Sequence, residues 1–482
     1  MFQAGAYLLL FLTCVIVFAK VRSRTVRQTV LLVASLALYL TWVPWFAVVL
    51  LTSIVVNFLI GIWLRRRHSW IPLWTGIVFN LALLGAFKYV PEIAAHVQIP
   101  SLRGFARLAL PLGISFWTFQ AMSYLFDLYR EEELDPSFIE FALYMCFFPV
   151  TISGPVCRMP EMLSQFRSEQ ETAWDDILVG LRRIAIGVFM MQLAKLLGQG
   201  ILAGDGIVSG FDRLTRWSGA DVWCLAFGYG LQLFFDFAGY THLAVGAAKA
   251  LGIVVPENFA RPFASTTPSI FWTRWHMSLS FWIRDYVFLP LATLRREMWW
   301  RNLALIISMV VFGVWHKASL LFLLWGCYHG VLLVCHRQWQ QVERRLNWNV
   351  SAKFWTLLSW IVTISLISLG WIFFRADSFR QAVQMFSAMV SPARYASHFV
   401  SLSLYFLVAA LAAGYALVLV VDDALQSYSL SAETHSQSGA GARIARWRWF
   451  WIPSLYVVAL LFILLITHGQ EAGAGQLMYR RF

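Results

Sequence analysis

From Thr29 to Trp63 the chain carries no charged side chain, and the run is broken only at Trp42-Val43-Pro44. A segment of about 20 apolar residues is long enough to cross the hydrocarbon core of a bilayer. Leu402 to Val421 and Trp449 to Ile466 repeat the pattern, and Tyr7 to Phe18 is almost wholly apolar. Only 13% of the residues are charged and 59% are hydrophobic, against about 25% and about 45–50% in soluble domains. So little charge cannot cover a soluble surface, whereas lipid can serve as the outer solvent. The fold class is therefore an all-α polytopic membrane protein. By the length criterion roughly 11–13 segments are expected, some of them re-entrant. No internal repeat is visible, and residues 1–482 read as one membrane domain without a long linker.

The net charge of +13 follows from where the basic residues sit. Lys20 to Arg27, Arg65-Arg66-Arg67, Arg182-Arg183 and Arg344-Arg345 read as loop positions flanking spans. The positive-inside rule places the first two clusters in the cytoplasm and the N-terminus outside. No small-residue cleavage site precedes the first cluster, so Tyr7 to Phe18 is expected to stay as a signal-anchor helix. A nucleic-acid role would need a basic soluble face, and none is left over. Cys14, Cys146, Cys157, Cys224, Cys327 and Cys335 form no C-x-x-C pair. They read as packed thiols rather than metal ligands or disulfides.

The least apolar stretches are Arg130 to Ser137, Arg158 to Asp176 and Gln426 to Arg448. The first includes Glu131-Glu132-Glu133, a solvated run. The second reads as an amphipathic surface helix and the third, rich in Ser and Gly, as a flexible loop between the last two spans. Gln232 to Gly330 differs from all of these. It stays apolar and aromatic yet carries Asp236, His242, Arg274, His276, Arg284, Asp285, His316 and His329. Ionisable groups at membrane depth are costly and mark a functional path by default.

Two motifs carry the chemistry. Phe271 to Tyr286 reads as a helix with Arg274, Ser278 and Phe281 on one side and His276 and Ser280 on another. It suits a polar tunnel, although an interfacial helix with snorkelling arginines would look similar. In Phe312-Gly313-Val314-Trp315-His316-Lys317-Ala318-Ser319, His316 falls at a break between apolar helices. His329 follows in Trp325-Gly326-Cys327-Tyr328-His329-Gly330, about 20 Å further along if the stretch were one helix, and reads first as a packed histidine. Transfer of an acyl group to a hydroxyl needs a base that takes the hydroxyl proton, and a neutral imidazole suits this near pH 7. A second polar residue can orient the base or hold the donor carbonyl. No G-x-S-x-G elbow, P-loop, G-x-G-x-x-G or H-E-x-x-H is present.

These residues resemble the membrane-bound O-acyltransferase family, in particular its alginate O-acetylase and peptidoglycan O-acetyltransferase branch. The resemblance runs from Pro111-Leu112-Gly113-Ile114-Ser115-Phe116-Trp117 to Trp371-Ile372-Phe373-Phe374-Arg375-Ala376. Between them lie Tyr124 to Arg130, Phe147-Phe148-Pro149, Ser153-Gly154-Pro155, Arg158, Phe235 to Tyr240 and Pro256-Glu257-Asn258-Phe259. Arg274-Trp275-His276 to Asp285-Tyr286 and Trp315-His316 are its sharpest motifs. The resemblance implies a ring of tilted helices around a central tunnel. It implies that His316 matches the family's catalytic histidine and His276 its second position, held by His, Asn or Asp. Asp236, Arg274, Arg284, Asp285, Trp315, Lys317 and His329 would line the tunnel or bind substrate, with no metal.

The resemblance further implies an acyl thioester such as acetyl-CoA as co-substrate, with no permanently bound cofactor. The implied partners are an extracytoplasmic acetyltransferase and a polysaccharide acceptor, and the implied place is the bacterial inner membrane. The chain departs from the family pattern where Lys317 follows His316 in place of glycine. It departs again at Ala238-Gly239-Tyr240-Thr241-His242, which lacks the branch's acidic residue, and at Ala292-Thr293, where a glycine pair is usual. Gln476 to Phe482 matches the branch's aromatic ending only loosely. The acyltransferase reading competes with a polysaccharide or lipid exporter, a non-catalytic scaffold, and a lipid or protein acyltransferase of the same family. The missing repeats weigh against the exporter.

Overall fold

The computed structural model describes residues 2–41, 43–96, 109–130, 133–201, 204–346 and 352–434. Among these the regular structure is helical, with one isolated bridge between Phe259 and Trp275. Among the described residues, eight helices are long and apolar enough to cross a membrane. They are Pro44–Arg66, Trp70–Tyr89, Trp174–Gln199, Gly219–Lys249, Met298–His316, Leu320–Glu343, Lys353–Arg375 and Leu402–Ala424. Tyr7–Lys20 is apolar but shorter. The span expected over Trp449 to Ile466 lies outside the described residues, as do Trp42, Glu131, Glu132 and the Gln476 to Phe482 ending. Burial separates the spans by role. In Gly219–Lys249, 83% of the apolar window is buried, against 17% in Leu402–Ala424, whose apolar surface is left for lipid.

The chain divides into two compact units. The first comprises Met1–Ile184, Thr241–Asn258 and Met277–Pro290. Trp117, Tyr124, Phe141, Tyr144 and Phe147 form its fully buried aromatic centre. Pro44 opens the Pro44–Arg66 helix, where its missing N–H costs nothing. Asn57 and Asn80, both fully buried, exchange amide hydrogen bonds of 3.2 and 2.6 Å between Pro44–Arg66 and Trp70–Leu84. Gly113 precedes Ile114–Tyr129 at φ +71°, and a Cβ there would lie 1.9 Å from the Thr151 carbonyl oxygen. Only glycine fits that corner.

Ser137 and Glu140 form a capping box at the start of Phe138–Cys146. Glu140 is fully buried and also accepts from Arg167 Nε (2.9 Å) and Nη2 (3.0 Å) and from Arg24. This clasp explains why Arg158 to Asp176 is not one surface helix. The helix covers only Met159–Phe166, burying Met159, Met162, Leu163 and Phe166 at helical spacing. Beyond it Arg167 is drawn to Glu140, and the Arg27 guanidinium, stacked on Phe18, donates to the Gln170 carbonyl at 2.5 Å. The backbone carbonyls thus have partners outside a helix.

The basic clusters also sit differently from the expected loops. Arg24 and Arg27 lie in the first turn of Arg24–Leu40, and Arg65 and Arg66 in the last turn of Pro44–Arg66. Arg344 and Arg345 close Leu320–Leu346. Arg182 and Arg183 lie within Trp174–Gln199, where Arg183 grips Glu257 with two hydrogen bonds of 2.7 and 2.8 Å. Cys14, Cys146, Cys157 and Cys224 are packed thiols, whereas Cys335 is exposed.

The second unit comprises Ala185–Tyr240, Phe259–His276 and Leu291–Phe482. Its centre is aromatic: Phe211, Tyr229, Phe237, Phe271, Phe312, Trp325 and Trp371 are fully buried. Met298–His316 and Leu320–Leu346 fold back on each other. Small residues make the close approach possible, since a Cβ on Gly326 would stand 2.5 Å from the Met309 carbonyl oxygen. Buried Asp221 staples a loop to the start of Gly219–Lys249. It accepts from the backbone N–H groups of Ser218, Phe399 and Val400 and from the Tyr405 hydroxyl. Gln426 to Thr434 is not loop, because Leu402–Thr434 is one helix. The rest of that expected loop lies outside the described residues.

Candidate active site

His316 is the last residue of Met298–His316. Lys317 turns extended, with φ −155° and ψ 135°, and the next helix starts at Leu320. The break is therefore where the sequence places it. The His316 ring is buried and stacks on Phe312, with centroids 5.5 Å apart and planes 16° apart. Phe374 at 5.1 Å and Trp325 at 5.9 Å meet it edge-on, with Phe322 tilted at 6.1 Å. Phe312 and His316 lie four apart on one helical face, the spacing at which side chains meet. Trp315 is buried beside the imidazole, with centroids 4.7 Å apart. Lys317 is exposed.

His276 reaches the same aromatic group by another route. Phe271 to Tyr286 is not one helix. Pro268–Trp272 ends, residues 273–276 turn, Met277–Ile283 begins, and Arg284–Phe288 is a π-helical turn. The periodicity is overridden by long-range pairing, as Trp275 bridges to Phe259 and the Arg274 carbonyl accepts from the Ala260 N–H at 3.1 Å. His276 sits in the turn at φ +43°. Its ring meets Phe237 edge-on at 4.6 Å, Phe312 at 6.1 Å and Trp315 at 6.4 Å. Phe312 thus touches both imidazoles. Burial among these rings disfavours the cation and pushes the His276 pKa down to about 3. The ring is neutral at pH 7 and can donate from one nitrogen and accept at the other.

The remaining expected site residues divide between the units. In the second, Asp236 is buried next to Phe237, while Arg274 is half-exposed, with Nη1 3.5 Å from the Ala264 carbonyl. His329 is fully buried among Trp325 (4.8 Å), Trp272 (5.1 Å) and Tyr328 (5.2 Å). Trp325, one turn before His329 on the same helix, also touches His316, and the helix break at 317–319 lets the two histidines share it where a continuous helix would have kept them apart. Neither His329 ring nitrogen has a hydrogen-bond partner among the described residues. Arg284 and Asp285 belong to the first unit and form an ion pair there. Sequence reasoning missed the aromatic wall of Phe312, Trp325 and Phe374. The four-residue step from Phe312 to His316 was the available signal.

Helices built for lipid that enclose three buried, aromatic-packed histidines define an integral membrane protein with a polar centre. The family model for the membrane-bound O-acyltransferase family matches residues 114–376. A probable alginate O-acetylase of Pseudomonas aeruginosa is 31% identical over 408 residues, covering 81% of this chain and 75% of its own. A peptidoglycan O-acetyltransferase of Helicobacter pylori is 30% identical over 397 residues, covering 75% and 73%. A teichoic acid D-alanyltransferase of Bacillus subtilis is 31% identical over 285 residues, covering 56% and 69%. The chain belongs to the membrane-bound O-acyltransferase family. It is a multi-pass membrane acyltransferase and draws on an acyl donor.

Proposed function

We propose that the whole chain acts as one acyltransferase domain that moves an acetyl group across the bacterial inner membrane. The donor is a cytoplasmic thioester such as acetyl-CoA, and the acceptor is a cell-surface or secreted polysaccharide. The relatives named for alginate and peptidoglycan O-acetylation support this acceptor class. An extracytoplasmic acetyltransferase completes the modification. The basic ends at Lys20 to Arg27 and Arg65 to Arg67 support a cytoplasmic face there and an N-terminus outside.

His316 is the general base. Its burial at a helix break, inside an aromatic box, is the observation that carries the reading. A neutral imidazole takes the proton of the attacking hydroxyl as the new C–O bond forms. The carbonyl is restored as the C–S bond breaks, and the same proton passes to the leaving thiolate. His276, which shares its contacts with Phe312 and Trp315, orients the donor carbonyl or shares the proton. Trp315 walls the base, and Asp236, Arg274, Lys317 and His329 supply the polar surroundings in the second unit.

The test is acetyl transfer from a labelled thioester by purified full-length protein in detergent. With His316→Ala the rate should fall by about 10²–10⁴-fold, the usual contribution of a general base, while membrane yield and thermal midpoint hold. An unchanged rate in a folded His316→Ala protein would remove His316 from the chemistry.

A further inference from the structure

Three arginines converge on one residue in the first unit. Arg158 Nη2 donates to Asp285 Oδ2 at 2.5 Å, and Arg284 donates through Nε to Oδ1 at 2.6 Å and through Nη2 to Oδ2 at 3.2 Å. Both carboxylate oxygens are thereby engaged. Arg130 reaches only the neutral backbone carbonyl of Asp285, at 2.8 Å. It has no carboxylate within ion-pair distance among the described residues. The guanidinium groups of Arg130 and Arg158 each lie 5.2 Å from the Tyr286 ring, and the Tyr286 hydroxyl donates to Asp127 at 2.7 Å.

Among the described residues the cluster therefore holds three arginines against two carboxylates, Asp285 and Asp127. Burial works to raise the Asp285 pKa, but hydrogen bonds from Arg284 and Arg158 outweigh it and keep the carboxyl ionised below its ordinary value. The carboxylate accordingly organises the arginines without cancelling them. Arg130 and Arg284 are exposed, Arg130 over the buried Tyr286 ring and Arg284 over the Phe281 ring at 4.8 Å. The backbone at Arg284–Phe288 is π-helical, a distortion that recurs at functional sites. Guanidinium forks held in place by stacking match the oxygens of a phosphate.

The position fits such a ligand. Tyr129, next to Arg130, stacks on His68 with planes 8° apart, and its carbonyl lies 2.8 Å from His68 Nε2. The cluster thus opens on the same side as Arg65-Arg66-Arg67.

We infer that Arg130, Arg158 and Arg284, organised by Asp285, form a binding site for a phosphate group. The phosphate belongs either to a phosphorylated thioester donor or to the headgroup of an anionic lipid. The donor as source rests on the cytoplasmic orientation and thioester chemistry proposed above; the site itself does not.

The test uses the purified full-length protein in discs of zwitterionic lipid. Inorganic pyrophosphate should raise the thermal midpoint saturably, where sodium chloride of equal ionic strength does not. Arg130→Gln and Arg284→Gln should each weaken pyrophosphate binding about tenfold, the loss of one charge-assisted hydrogen bond. Arg130→Lys should recover part of the affinity. Competition then separates the sources. Displacement by acetyl-CoA but not by the phosphate-free acetyl thioester of pantetheine assigns the donor. Displacement by phosphatidylglycerol added to the disc assigns the lipid.

No shift with the wild-type protein, or an unaltered shift in both Gln variants, would reduce the cluster to a structural clasp and overturn the site. Pyrophosphate binding without any acetyl transfer from the thioester would leave the site standing and sink the proposed donor and reaction. Acyl transfer without pyrophosphate binding would do the reverse.

Discussion

His276 occupies a conformation that side chains with a Cβ rarely adopt, at φ +43°. Such a residue costs about 1–3 kcal/mol and persists only where its surroundings demand it. Asn tolerates this region better than most residues. His276→Asn should therefore keep the thermal midpoint closer to wild type than His276→Val, which adds β-branching in a strained turn. The pH dependence has a definite sign. Between about pH 3 and 6.5 the unfolded chain binds a proton at His276 and the native ring does not. Stability from this group is thus present above 6.5 and lost as the pH falls toward about 3. Thermal scans across that window should show a shallower acid slope for His276→Asn than for wild type. An equal slope would mean that the ring is not held neutral. His316 was legible in the sequence because a helix stop follows it directly. The turn at His276 was not, because apolar spacing over 271–286 imitates a helix and the bridge from Trp275 to Phe259 is non-local.

At the scale of elements, one buried carboxylate and one glycine contact make separate predictions. Burial raises the Glu140 pKa, but hydrogen bonds from Arg167, the Ser137 N–H and Arg24 more than offset this and bring it to about 2. Its contribution is therefore complete above the ordinary value of 4.5 and is lost as the pH falls toward about 2. Glu140→Gln leaves two arginines facing a neutral amide and should cost about 3 kcal/mol. Thermal unfolding in detergent should show a lower midpoint at neutral pH and a smaller difference from wild type in acid. Gly326→Val should push Met298–His316 away from Leu320–Leu346 at a cost of about 1–3 kcal/mol, seen as a lower midpoint and yield; a neutral effect would mean that the hairpin is looser than the contacts imply. Both features had local signals, Ser137-x-x-Glu140 and Gly326-x-x-x-Gly330. Their partners did not, since Arg24 lies 116 positions from Glu140. The short Met159–Phe166 helix shows the same limit, because the residues that end it pair with distant groups.

For the whole molecule, the shortage of charge settled the class of fold, since chains this apolar need lipid as solvent. The long apolar runs became helices of spanning length. Composition could not show that the ionisable residues between Gln232 and Gly330 separate into different settings. His276, His316 and His329 share an aromatic core, whereas Asp285 gathers arginines in the other unit. That division depends on helix breaks at 273–276 and 317–319, and a count of charges along a chain does not see them. The proposed reaction is acetyl transfer onto a polysaccharide, driven by His316. Its most direct test is acetate released by mild alkali from cell-surface and secreted polysaccharides. Cells carrying the wild-type protein, His316→Ala at matched membrane level, or no protein are compared. Cells carrying His316→Ala should lose as much acetate as cells without the protein. Acetate at the wild-type level in the mutant, with loss only when the protein is absent, would take His316 out of the chemistry.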